Sequence, residues 1–214
     1  NYKELRQRFR SYLFQTKSDC EAILPAYQHH GLEFVRLLRG MYAIAIFDRK
    51  RQSLHLSRDP FGIKPLYYSE TRQGLIFASE PQALISSGLV TNDLSSKHRN
   101  ELLQLQFSTG NQTIFADIKR VLPGETLTVR EGRIVSRQHI PALPKGPPRN
   151  IGEKAALEEL DLALNDSINI HQRADVPFGL FFSGGIDSTV MLYLMSKMSE
   201  KPVYAYTAGF EGAV

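Results

Sequence analysis

Residues 180–190 read LFFSGGIDSTV, an apolar run that breaks into a glycine- and hydroxyl-rich turn and resumes as a helical pattern. Gly179, Leu180, Phe181 and Phe182 show no polar alternation, which predicts a strand covered on both faces in a parallel sheet. Ser183, Gly184 and Gly185 form the turn, and a helix is expected from about Asp187 to Met198. Glycine carries no Cβ and tolerates positive φ, so such a turn brings main-chain amides close to a ligand, and the positive end of the helix points at the same spot. With the hydroxyls of Ser183, Ser188 and Thr189 added, the stretch suits a phosphate-type anion. Asp187 would repel that guest unless a Mg²⁺ ion bridges them, taking oxygen ligands from both carboxylate and phosphates. No lysine precedes the Ser/Thr as in GxxxxGK[ST], and the GxGxxG spacing is absent, so the pattern is neither an NTPase P-loop nor a dinucleotide fingerprint.

Working outward, Lys201 and Pro202 stop the helix and Val203–Thr207 reads as a second strand, which completes one βαβ unit. Ahead of it, Glu153–Gln172 predicts a long helix with Leu157, Leu160, Leu164 and Ile168 as its apolar stripe. Residues 141–150, PALPKGPPRN, carry four prolines and one glycine, a composition suited to an extended connector. The expected division is therefore residues 1–140, a linker at 141–150, and the start of a second domain at 151–214.

The first region mixes helices with short strands. Leu5, Phe9 and Tyr12 predict an amphipathic helix over 3–13. SDCE at 18–21 has the capping-box form, with Gly31 ending the helix it opens at 19–30. Strands are expected at 41–47, 53–57, 66–69, 75–79, 113–115 and 125–129, in antiparallel hairpins, with short helices at 81–87 and 96–105.

Composition narrows the function classes. The chain has 214 residues, a formal charge of +4, one cysteine and six histidines. A single cysteine, Cys20, excludes an internal disulfide, and the histidines lack metal-ligand spacing. No apolar run approaches the roughly 18 residues of a membrane span, so a soluble, cytoplasmic protein is expected. Lys and Arg are scattered through turns such as 48–52 with no basic helix face, so nucleic acid is not an expected partner. Asn1 is not preceded by Met, and both ends read as cut from a longer chain.

The SGGxDS order resembles the pyrophosphate loop of ATP-pyrophosphatase enzymes. SDCE (18–21), GMYAIAIFD (40–48), RDPFGIKPLYY (58–68), FASE (77–80), TIF (113–115), LPG (122–124) and VPFG (176–179) then occur in order. Together these segments resemble the glutamine-hydrolysing asparagine synthetase family. The resemblance implies an N-terminal-nucleophile (Ntn) glutaminase-like α+β domain with antiparallel sheets. After it would come the start of a parallel-sheet α/β ATP-pyrophosphatase domain, and the activity implied is ATP-dependent amidation of aspartate through an acyl-adenylate, using ammonia from glutamine.

The implied site residues follow by position. Ser183, Gly184, Gly185, Asp187 and Ser188 would hold the pyrophosphate of ATP, with Mg²⁺ on Asp187, and Phe181 and Ala208 would border the adenine. Asp19 would hold the α-amino group of glutamine, although an aspartate at a helix start also serves as a cap. Arg58 and Asp59 are expected to form an internal ion pair. Cys20 is not the nucleophile the family uses, which is a cysteine at the mature N-terminus assisted by its own amine. NYKEL (1–5) resembles the end of the family's NGEIYNYxEL segment, so no catalytic residue is expected within the chain. Expected partners are glutamine, ATP, and aspartate or another carboxylate acceptor, with a homodimer left open. A relative that amidates another carboxylate or closes a β-lactam, and a non-catalytic scaffold, remain as alternatives.

Overall fold

The computed structural model describes residues 1–174 and 176–209. They form two compact units, Asn1–Lys145 and a second beginning at Gly146.

In the first unit a four-stranded antiparallel sheet has the order β1-β2-β6-β7, from β1 (Ala43–Asp48), β2 (Ser53–Arg58), β6 (Glu125–Arg130) and β7 (Arg133–His139). A second sheet, β4-β3-β5, is built from β3 (Tyr67–Thr71), β4 (Gly74–Ala78) and β5 (Lys119–Arg120). The period-2 pattern of β2 decides the layering. Leu54 and Leu56 face the second sheet and join Leu66, Tyr68, Val121 and Leu127 in one core. On the other face, Ile44 and Ile46 of β1 pack beneath Leu5 of α1 (Tyr2–Arg8), Phe9 just after it, and Ala26 and Tyr27 of α2 (Ile23–His30). Each large side chain so buried contributes roughly 1.5–3 kcal/mol of transfer free energy. Helices α3 (Pro81–Ser86) and α4 (Ser96–Leu105) complete the unit.

Several expectations change here. Helix α1 ends at Arg8, and Phe9 and Tyr12 reach the core from turns instead. The Arg6 guanidinium donates to the carbonyls of Thr16 and Ser18, which folds the 13–18 loop back on α1. The SDCE segment is not a reciprocal capping box. Glu21 accepts from the amides of Gln15 and Thr16, while Ser18 Oγ accepts from Cys20, because the first turn (Cys20–Ala22) is 3₁₀. Thr113–Phe115 makes a single isolated bridge, from Phe115 to Leu94, since Thr113 Oγ1 turns the chain locally by accepting from Phe115 N. Strand β7 and a 3₁₀ helix at Gly31–Leu37 escape the pattern; β7 is a polar, largely exposed edge strand.

Arg58 and Asp59 do not pair with each other. Arg58 donates to the carbonyls of Gly62, Lys64 and Val121, while the buried Asp59 carboxylate accepts from the amides of Phe61, Ile63 and Lys64. Two oppositely charged side chains thus clamp one loop through its main chain.

In the second unit, β8 (Gly179–Phe181) and β9 (Tyr204–Tyr206) pair in parallel. Helices α5 (Glu153–His171) and α6 (Ile186–Met198) meet through Leu164, Ile168, Val190, Leu194 and Met195, with Leu180 and Val203 from the strand side. Leu157 and Leu160 of the expected α5 stripe stay exposed. The expectation of a strand covered on both faces also fails. Leu180 joins the core, but Phe181 is 90% exposed, because the helices cover one face only.

Candidate functional site

Two places in the chain gather the residues that sequence singled out, one in each unit.

In the first unit a cavity of about 530 Å³ opens beside the start of the α2 region, lined by Asp19, Cys20 and Ile23, by Asn1 and Leu5, by Leu38–Ile44, and by Lys64, Pro65 and Ser79. Asp19 Oδ1 accepts from the amide of Cys20 at 2.9 Å, so the residue does cap the turn. Its Oδ2 makes no hydrogen bond among the described residues and is available to a cationic guest. Asn1 fixes the facing wall, its Oδ1 accepting from Arg39 N at 2.8 Å and its Nδ2 donating to Leu37 O at 2.9 Å. Burial, with the Asp59 carboxylate nearby, pushes the Tyr42 phenol up to about 12, so Tyr42 itself adds no charge to the cavity. The Arg58 and Asp59 clamp sets the height of Lys64 and Pro65 at the rim. An acid at Asp19, the side chain of Lys64 and a largely apolar lining suit a small zwitterion more than a wholly apolar ligand.

Cys20 lines the same cavity, and as an internal residue it has no amine of its own to serve as base. Sequence reasoning missed Asn1, Tyr42 and Lys64 as cavity residues. Their positions inside the quoted segments were visible, but not which of those side chains face a common space.

In the second unit the loop after β8 sits at the C-terminal end of a parallel pair, where open α/β sheets offer a crevice to ligands. Gly184 takes φ +79°, a conformation glycine adopts freely. Ser183 Oγ lies 3.2 Å from Ser188 Oγ and accepts from Gly185 N at 3.4 Å. Ser188 Oγ and Thr189 Oγ1 donate back to Gly185 O at 3.0 and 2.9 Å. Ser188 and Thr189, both expected as hydroxyl donors to the anion, here direct their hydrogens to the helix, and the donors for an anion are the unpaired first-turn amides of α6. Phe181 ends β8, and Ala208 lies two residues beyond the end of β9, so both stand at the same end of the pair as the loop.

The donor set bears on metal. Among the described residues there is no group of three His, Cys, Asp or Glu able to hold an ion. Asp187 contributes one exposed carboxylate in the first turn of α6. One carboxylate suits a Mg²⁺ that keeps most of its ligands as water and phosphate oxygens. Among the described residues no helix is long and apolar enough to cross a membrane.

Known proteins match along the same division. The glutamine amidotransferase domain family matches residues 1–140, and the asparagine synthase family matches residues 159–213. Asparagine synthetase [glutamine-hydrolyzing] 1 of Bacillus subtilis is 36% identical over 99% of this chain and 33% of that protein. Asparagine synthetase B [glutamine-hydrolyzing] of Escherichia coli is 32% identical over 95% of this chain and 32% of that protein. Amidase chyE of Penicillium rubens is 32% identical over 82% of this chain and 26% of that protein. The chain spans about a third of the length of the two synthetases. With its larger part matched by the amidotransferase domain and the remainder by the synthase, the chain belongs to the glutamine-hydrolysing asparagine synthetase family.

Proposed function

We propose that this chain supplies parts of both active sites of a cytoplasmic asparagine synthase. Residues 1–140 would belong to an Ntn-type glutaminase domain, 141–150 to a linker, and 151–214 to the start of a parallel-sheet ATP-pyrophosphatase domain. Glutamine is hydrolysed to glutamate and ammonia, with Asp19 holding the substrate's α-amino group. ATP adenylates the side-chain carboxylate of aspartate and pyrophosphate leaves. Ammonia then attacks the acyl carbon and AMP departs with the acyl oxygen's electron pair. Adenylation is needed because a carboxylate is otherwise a poor acceptor for an amine. Each unit contributes residues to one of the two chemistries.

The observation that carries this reading is the SGGIDS loop at the end of β8, opening on the first turn of α6. Its amides and Ser183 would bind the departing pyrophosphate, and Phe181 and Ala208 would flank the adenine. When bound, Mg²⁺ would neutralise charge that develops on the pyrophosphate. Asp187 would hold it there, and the main-chain donors are already aimed before reaction.

The test is pyrophosphate binding to this chain in the presence of Mg²⁺, followed by calorimetry, with Asp187→Ala alongside. We expect Mg²⁺-dependent binding that Asp187→Ala weakens at least about tenfold, a difference of about 1.4 kcal/mol. Equal binding by the variant would reduce Asp187 to a helix-terminus residue and remove the metal role. A different carboxylate acceptor is the second reading, since none of the residues assigned above is proposed to meet the acceptor. It leaves the roles of these residues unchanged.

A further inference from the structure

A second cavity in the first unit, of about 500 Å³, lies away from Asp19 and is lined by Tyr27, Arg51, Ser53, His55, Thr128 and Arg130, among others. Its floor is a buried row of three side chains. Ser53 Oγ lies 3.1 Å from His55 Nε2, and His55 Nδ1 lies 3.2 Å from Thr128 Oγ1. All three are buried.

The hydrogens on that row can be counted. Neutral imidazole carries one N–H and one lone pair, and each hydroxyl carries one O–H. Burial holds His55 below its ordinary pKa, so the neutral ring is the form to count at pH 7. Two contacts use two of the three hydrogens. In either tautomer, one hydroxyl donates to the ring's lone pair while the other accepts the ring N–H. The accepting hydroxyl keeps its own hydrogen, so one buried donor is left for a guest in the cavity.

The charges above this floor have the matching sign. Asp48 is already engaged, accepting from the amides of Lys50 and Arg51, from the Tyr27 hydroxyl at 2.9 Å and from Arg51 Nη1 at 3.3 Å. The Arg130 guanidinium makes no hydrogen bond or ion pair among the described residues. Two guanidinium groups against one carboxylate leave one positive charge. A planar guanidinium beside a fixed O–H donor matches a carboxylate, which takes two parallel N–H bonds and accepts further at its other lone pairs.

We propose that this cavity is a binding site for a small monocarboxylate, engaged by Arg130 from above and by the spare hydroxyl of the Ser53–His55–Thr128 row from below. The site is independent of the glutamine and ATP chemistry assigned to the chain.

The test follows the amide resonances of β2 and β6 in the purified chain during titration with acetate and with glutamate at constant ionic strength. Parallel arms use chloride and inorganic phosphate. Saturable shifts confined to residues around His55 and Thr128 are expected with the carboxylates, and none with chloride. Arg130→Gln should weaken acetate binding at least tenfold. Arg133→Gln, on the next strand and not lining the cavity, should leave it within twofold. Arg130 is exposed, so its replacement leaves the core intact. Equal affinity in Arg130→Gln, a matching response to chloride, or tighter binding of phosphate than of acetate would each overturn the assignment.

Discussion

Arg137 Nη2 donates to the hydroxyl of Tyr68 at 2.9 Å, joining β7 of one sheet to β3 of the other in the first unit. Its Nη1 reaches Glu125 Oε1 at 2.8 Å, and Glu125 also accepts from Leu122 N. Tyr68 is fully buried and Glu125 nearly so. One guanidinium therefore satisfies two polar groups that the packing of the sheets has taken from water.

The two halves of that contact should differ in cost. Tyr68→Phe removes a hydroxyl and leaves Arg137, which is partly exposed, free to bind water, so about 1 kcal/mol is expected. Arg137→Met keeps the volume but leaves a buried carboxylate with one amide, and about 3 kcal/mol is expected. Urea denaturation of both variants checks the order. A smaller loss in Arg137→Met than in Tyr68→Phe would mean that Glu125 finds another partner.

Gly124 gives a steric prediction. It sits at φ +70° in the turn before β6, and a Cβ added there would run into the carbonyl oxygen of Ile140, which accepts nothing from it but whose own amide donates to Gly124 O at 2.9 Å. Gly124→Ala thus combines backbone strain with a clash against rigid main chain, and about 3 kcal/mol or more of lost stability is expected. Gly88→Ala, also at positive φ but with open space around it, isolates the strain alone and should cost about 1 kcal/mol. Thermal melts of the pair distinguish the two contributions, and equal losses would remove the clash from the account.

Much of the fold was legible because its signals are local. Ser96–Leu105 was read to the residue, and β1–β4 and β6 to within about two residues at either end, since period-2 runs bounded by turn residues carry their own evidence. Strand β7 was invisible because RIVSRQH lacks apolar alternation; its pairing with β6 comes from the hairpin. The Arg58–Asp59 pair was misread because adjacent opposite charges suggest each other, whereas the loop's own amides and carbonyls were the nearer partners. For the candidate sites, sequence gave the SGGIDS residues and Asp19. It gave no access to Tyr42, Lys64 or the His55 row, whose meaning depends on which strands lie side by side.

His55 predicts a pH dependence. Burial lowers its folded-state pKa below the ordinary histidine value of 6.5. The unfolded chain then binds more protons than the folded one as pH falls through 6.5, so stability declines on acidification through that point and is fully present above it. The slope from one such group is at most about 1.4 kcal/mol per pH unit. The carboxylates held low, Asp48, Glu21 and Glu101 among them, act below about pH 4.5 and do not contribute here. Urea midpoints between pH 5 and 7.5 should therefore rise with pH in the parent and less so in His55→Gln. Parallel curves for the two proteins would assign the slope elsewhere.

Asp19 has two roles that substitution can separate. As a cap it accepts the Cys20 amide through Oδ1, a task that a serine performs about as well. As the proposed partner of the glutamine ammonium it needs a negative charge at Oδ2, which serine lacks. Asp19→Ser should thus keep stability within about 0.5 kcal/mol while raising the glutamine KM of the full-length enzyme at least about tenfold. Ammonia supplied directly bypasses glutamine, so the rate with ammonia should stay at the parent level. Asp19→Asn sharpens the comparison, because its single oxygen can keep the cap while an NH₂ replaces Oδ2, removing the charge and the acceptor that face the ligand. If Asp19→Asn and Asp19→Ser retain the parent KM for glutamine, the carboxylate is a cap and nothing more. If KM rises and stability falls together in both, the cavity wall has moved and the ligand role loses its support. A rise in KM with stability and the ammonia-dependent rate unchanged is the outcome that the free Oδ2 in the cavity leads us to expect.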